Sequence, residues 1–169
     1  SLEGELPIVM DTSPCSKHLV HYDEILSGIH LARWRALKLY DMVEYLHDIV
    51  LDKLSLWHVK EKVVLHQTCS TRHMGLGDKM ENLARRCSKE VIIPHDTGCC
   101  GFAGDRGLLV PGLTESATER ESKEIQDIDA DGYYSTSRTC EMGMTMATDK
   151  SYQPLVSLIL EAIIKQSAS

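Results

Sequence analysis

Short apolar runs rich in Val and Ile alternate along this chain with stretches patterned as helix, and that alternation constrains the fold more than any other feature. Three runs, at 6–10 (LPIVM), 62–65 (KVVL) and 90–93 (EVII), have the composition of strands buried on both faces. A weaker fourth, GYYS at 132–135, rests on Tyr133 and Tyr134. Between them, residues 40–56 set Val43, Leu46, Val50 and Leu54 on one helical stripe. Residues 76–87 form a shorter amphipathic candidate, and 114–125 a charged one with Thr114 as its N-cap. The last helix, 154–165, is apolar around most of its circumference. It is expected to pack on the sheet and to leave an apolar strip for a partner. Strand–helix alternation of this kind implies an α/β fold, with a mainly parallel four-stranded sheet flanked by helices. The 169 residues are expected to form one domain.

The cysteines are placed by the same pattern. Cys15 follows the first run, Cys69 the second, Cys99 and Cys100 the third, and Cys140 the fourth. In a parallel sheet those four connections leave at one edge, the carboxyl edge, where open α/β sheets bind ligands. Five thiols delivered to one edge suit a shared metal or cofactor better than core packing. Cys87 is the exception. It precedes the third run, lies in a charged helical stretch, and reads as a small buried hydrophobe at the opposite edge. The segment around Cys99 and Cys100 has glycine at 98, 101, 104 and 107. Gly98, Gly101 and Gly104 are therefore expected to bring backbone N–H groups close to a bound anionic group.

Composition removes several alternatives. A net charge of −7 with scattered Lys and Arg argues against nucleic-acid binding. No run approaches the ~18 apolar residues of a membrane span, and no export leader is legible. Six cysteines are too few for a disulfide-dense secreted scaffold of this length. The chain is accordingly expected in the reducing cytoplasm, peripheral to a membrane only through partners. No phosphate loop and no Gly-x-Gly-x-x-Gly after a strand is present, so this segment is not expected to hold FAD or NAD itself. The acidic run 127–131 reads as a solvated turn rather than a calcium loop. His66, His73 and His95, and Arg72, Arg106 and Arg138, lie near the cysteine segments; Asp96 and Asp105 are candidate partners for the arginines. No catalytic residue is assigned.

The run HDTGCCGFAGDRG at 95–107 resembles the Cys-Cys-Gly, or cysteine-rich (CCG), domain family. That family occurs in heterodisulfide reductase subunits, glycolate oxidase iron–sulfur subunits and FAD-linked D-lactate dehydrogenases. Its first cysteine corresponds to Cys69 in HQTCS, its pair to Cys99 and Cys100 after 29 intervening residues, and its third element to Cys140 after 39 more. The family's final Cys-x-x-Cys is broken, because Gly143 stands at its last position; Cys15 is the expected substitute. With DTSPC and GYYSTSRTCEMGM, the chain most resembles the C-terminal iron–sulfur part of FAD-linked D-lactate or D-2-hydroxyacid dehydrogenases.

The resemblance implies a CCG-type domain that is a fragment of a larger oxidoreductase and not catalytic alone. It implies an iron–sulfur cluster of four-iron, four-sulfur type on Cys15, Cys69, Cys99, Cys100 and Cys140. It also implies FAD on another domain or subunit, and a redox acceptor as a further partner. The alternative is a structural zinc module without redox activity, since four thiolates at one edge also suit a tetrahedral, redox-inert ion.

Overall fold

The computed structural model describes residues 1–164. Its centre is a four-stranded, wholly parallel sheet of β3 (Lys60–Leu65), β4 (Ser88–Ile92), β5 (Gly132–Ser135) and β6 (Tyr152–Pro154), in the order β4-β3-β5-β6. A separate parallel pair joins β1 (Ile8–Met10) to β2 (Leu39–Asp41). The helices are α1 (Ser13–Leu19), α2 (Gly28–Arg35), α3 (Met42–Tyr45), α4 (Cys69–His73), α5 (Gly77–Arg85), α6 (Arg106–Leu109), α7 (Pro111–Ile125), α8 (Arg138–Thr148) and α9 (Leu155–Ile164). A π turn at Leu46–Val50 and a 3-10 turn at Leu51–Lys53 prolong α3.

Alternation along the strands divides the core. Val63, Leu65 and Tyr134 face a layer built from α3, α5 and α9, with Met80, Leu83, Leu155, Leu158 and Ile159 fully or almost fully buried. Val64 and Tyr133 face the other way, onto Ile125 of α7, Met144 of α8 and Tyr152. Burying both faces is what calls for Val-Val-Leu in β3, the strand paired on both sides.

The fold class expected from the sequence is therefore present, with changed membership. The first apolar run is a strand of the small pair, and the fourth place in the main sheet belongs to β6. Proline at 154 is tolerated there because β6 is an edge strand, where a missing N–H breaks no ladder. The helix expected from residue 40 begins at Met42. Tyr40 and Asp41 are extended, and the Asp41 carboxylate accepts the Val43 N–H at 2.9 Å as an N-cap. Thr114 is not a cap, because Pro111 at the first position starts α7 a turn earlier. On α9, Val156, Leu160 and Ile164 are 39, 55 and 55% exposed, so its outer face carries the expected apolar strip. Lys165 lies outside the described residues. No described helix is long and apolar enough to cross a membrane.

Candidate functional site

The chain runs from β3 to its neighbour β4, then crosses to β5 on the other side of β3. The direction of winding thus reverses between β3 and β5, and a crevice at the carboxyl ends of such strands is the usual ligand site of an open parallel sheet. Cys69 follows β3 as the first residue of α4, and Cys140 follows β5 in the first turn of α8. The sequence reading placed both in loops. Each is on a helix, where the first turn's unpaired N–H groups favour a thiolate. Cys99 and Cys100 follow β4 in an irregular loop, as expected.

Side chains fix these exits to one another. The Thr68 hydroxyl accepts the Thr71 N–H at 3.1 Å, and the Thr71 and Thr136 hydroxyls meet at 2.8 Å, tying the exit of β3 to that of β5. The Ser135 hydroxyl donates to the His66 carbonyl at 3.0 Å across the same strands. The cysteine-pair loop is held from α7. Glu124 accepts the N–H groups of His95 and Asp96, at 2.8 and 3.2 Å. Glu121, 2% exposed, accepts the Gly98 N–H at 3.3 Å and lies 2.8 Å from Nδ1 of the fully buried His66. The guanidinium of Arg72 donates to the Thr97 carbonyl.

Two glycines of the loop have a left-handed backbone and one does not. Gly101 has φ +67°, and a Cβ there would lie 2.5 Å from the Leu113 carbonyl oxygen, so no other residue fits. Gly104 also has a left-handed backbone, φ +77°. Gly98 does not; its N–H is spent on the Glu121 carboxylate. Past the turn, the Gly101 N–H points at the Cys99 sulfur at 3.4 Å, and the Phe102 N–H at the Cys100 sulfur. Phe102, 1% exposed, plugs the base of the loop.

Two of the thiols are in direct contact. Cys100 and Cys140, both buried, have sulfurs 3.0 Å apart and pack with Phe102. Cys99 is exposed and Cys69 half-buried. These two open onto a recess of about 340 Å3 shared with Arg72, His73 and Gly98. Among the described residues, no three His, Cys, Asp or Glu side chains are grouped to hold a single metal ion. The Cys140 hydrogen bond draws the Cys100 thiol well below the ordinary range, and the Phe102 amide and His66 act in the same direction against burial. Cys140 moves the opposite way, since the pair shares its proton, and burial adds to the rise. Cys99 is raised, chiefly by burial, with the Gly101 amide opposing.

Other candidates are placed as follows. Cys15 is exposed in the first turn of α1, a helix that packs on α4. That neighbourhood comes from the Ser13 N–H donating to the Thr136 carbonyl at 3.3 Å, not from membership of the main sheet. Cys87 is 0% exposed among the apolar side chains under the sheet, and burial pushes its thiol up to about 11. Gly143 abuts the site: a Cβ there would lie 3.4 Å from the Cys100 Cβ and 3.2 Å from the Phe102 ring. The position where the family pattern has its last cysteine thus faces Cys100 directly. His95 is exposed and offers only its backbone, whereas His66 is buried with Nε2 unpartnered. Arg138 pairs with Glu141 at 3.2 Å rather than with Asp96 or Asp105. The sequence reading missed Glu121 and Glu124. They resemble ordinary solvated helix carboxylates, and only their spacing of three on a helix facing a glycine loop could have marked them.

Comparison with known proteins agrees with this geometry. Residues 63–145, which carry Cys69, Cys99, Cys100 and Cys140, match the profile of the CCG cysteine-rich domain. The chain is similar to lactate utilization protein A 1 of Bacillus anthracis, with 28% identity over 148 residues, 81% of this chain and 60% of the relative. It is similar to lactate utilization protein A 1 of Bacillus mycoides, with 28% identity over 123 residues, 70% of this chain and 49% of the relative. Lactate utilization protein A 2 of Bacillus cereus is likewise 28% identical over 148 residues. The chain spans about half to three fifths of the length of these relatives.

Proposed function

We propose, from the premise that residues 63–145 form a CCG cysteine-rich domain, that Cys69, Cys99, Cys100 and Cys140 hold an iron–sulfur cluster of four-iron, four-sulfur type, with Cys15 as a fifth thiol. In this reading the chain is one domain of a larger FAD-dependent 2-hydroxyacid dehydrogenase acting on a D-lactate-like substrate. The flavin sits on a separate domain or subunit and a redox acceptor takes the electrons. The names of the relatives point to lactate, and the chain's partial coverage of them points to further domains.

The donor set fits the group. Soft thiolates select iron–sulfur clusters or zinc over harder cations. Amide N–H groups aimed at the Cys99 and Cys100 sulfurs stabilise negative charge there. Such a cluster, when bound, supplies a one-electron carrier. Phe102 keeps water from the inner thiols, and the Glu121 and Glu124 contacts fix the loop that presents the outer one.

One observation favours the cluster over zinc: residues 63–145, which carry all four thiols, match the CCG cysteine-rich domain, and the family that domain resembles includes iron–sulfur subunits. The test is anaerobic purification and reconstitution with iron and sulfide, followed by iron, sulfide and zinc analysis. The reading predicts iron and sulfide in equal amounts and a brown colour that bleaches on reduction. A colourless protein with one zinc per chain would instead establish the structural zinc module.

A further inference from the structure

Cys100 follows β4 and Cys140 follows β5, strands that flank β3 on opposite sides, yet their sulfurs meet at 3.0 Å. A disulfide bond is about 2.05 Å long, so these atoms need to close by only about 1 Å. Both residues are buried, 4 and 5% exposed, and pack with Phe102 and Met142. We propose that this pair is a redox-sensitive lock on the thiol site: when the site carries no cluster, Cys100 and Cys140 join in a disulfide that bars loading until it is reduced. The inference rests on the reading of these thiols as cluster ligands.

The geometry selects one pairing. Cys87 lies at the other end of β4, in an apolar cluster that holds no second cysteine. Cys15 is exposed on α1, and Cys69 and Cys99 open onto the outer recess. Cys99 and Cys100 are joined by a trans peptide. Their Cα atoms are therefore about 3.8 Å apart, inside the roughly 4.4 Å at which disulfide spans begin. Cys140 is fixed by the first turn of α8, and Cys100 by the left-handed turn at Gly101.

The oxidant is a low-molecular-mass disulfide such as oxidised glutathione. The Cys100 thiolate attacks one of its sulfurs, and one glutathione leaves as the thiolate. The Cys140 thiolate then attacks the Cys100 sulfur of the mixed disulfide, and the second glutathione leaves. Two electrons pass from the cysteines to glutathione, and the two cysteine protons end on its two thiols. The new bond occupies two of the four ligands proposed within residues 63–145. It closes the chain between 100 and 140, which holds α6, α7 and β5, so it stabilises the cluster-free fold by constraining the unfolded chain. It also keeps the inner sulfurs in a reducible state, short of the irreversible sulfur oxyacids.

The test uses the full chain, freed of metal by anaerobic chelation and equilibrated with mixtures of reduced and oxidised glutathione. Peptide mapping should find Cys100 joined to Cys140, and the oxidised chain should melt at a higher temperature than the reduced one. Cys140→Ser should abolish that rise. Iron uptake from iron and sulfide should be almost wholly lost in the oxidised chain and return after treatment with dithiothreitol. Three results would overturn the lock: a bond mapped to another pair in place of Cys100 and Cys140, the same rise in melting temperature in Cys140→Ser, or undiminished iron uptake by the oxidised chain. Failure of the reduced chain itself to take up iron would overturn the cluster reading instead, while the mapping still decides the pairing. Should Cys140→Ser fail to fold, the mapping in the unaltered chain decides.

Discussion

The two ends of β4 each carry a buried cysteine, and they differ in everything but burial. At the amino end Cys87 is enclosed by the apolar layer, with Ala84, Leu83 and Val59 of the same cluster, and its thiol is held neutral. Past the carboxyl end Cys100 is almost as buried, yet it faces another thiol and a backbone N–H. Burial alone therefore does not mark a structural cysteine. What separates the two is the polarity of the immediate surroundings, which follows from the sheet, because amino and carboxyl edges of a parallel sheet present different loops.

The sharpest contrast expected is in bound iron. After anaerobic reconstitution, Cys100→Ser should lose most of its iron, while Cys87→Ser keeps the content of the unaltered chain. Equal losses in both would erase the distinction between the two ends. Cys87→Ser should still cost stability, about 1–3 kcal/mol, because a hydroxyl in that apolar site finds no partner. Denaturant unfolding of the cluster-free protein reads this directly.

The next effect lies in the backbone of the carboxyl end. Gly101→Val places a β-branched residue at φ +67° against the Leu113 carbonyl. Strain of this kind costs about 1–3 kcal/mol before the clash is added. The variant should unfold at lower denaturant and show faster alkylation of Cys100. Unchanged alkylation would mean that the turn does not shield the inner thiol.

Glu121→Ala comes third, at about 1–3 kcal/mol, since it strands the Gly98 N–H and the buried His66 ring. Glu124→Ala, whose contacts are exposed, should cost less. If the order is reversed, the loop is held from its outer rim and not from its buried base.

Much of this contrast was legible in the sequence and some was not. Val63, Val64 and Leu65 announce a strand buried on both faces, and the side of each cysteine relative to its strand follows from chain order. The glycine at 101 was legible because a thiol pair in a glycine run asks for close backbone. β6 was not, since Tyr152-Gln153-Pro154 has no alternation and ends in proline, and its pairing comes only from docking beside β5. Helix α8 was hidden by Thr, Gly and Cys at positions where periodicity would be read. Placing Cys15 by membership of the main sheet was wrong in route. It reaches the region through a second, smaller sheet whose partner strand, Leu39–Asp41, reads as the start of a helix.

A smaller effect bounds the comparison at the amino edge. Asp131 accepts the Glu61 and Lys62 N–H groups at 2.8 and 2.9 Å, and these bonds hold its carboxyl below the usual range. A depressed folded pKa gives stability present above about pH 4, the unfolded value, and lost as pH falls through the folded one. Asp131→Asn should therefore lower stability slightly at neutral pH and converge with the unaltered chain in acid. A constant difference across pH would show that the carboxylate charge is not involved.

The central claim is that the thiols beyond the carboxyl edge share one polynuclear iron centre. X-ray absorption at the metal edge of the anaerobically loaded protein tests it most directly. The account predicts iron surrounded by sulfur, with a clear iron–iron component, in the unaltered chain and in Cys87→Ser alike. A lone zinc shell, or iron bound through oxygen and nitrogen without a metal–metal component, would contradict it.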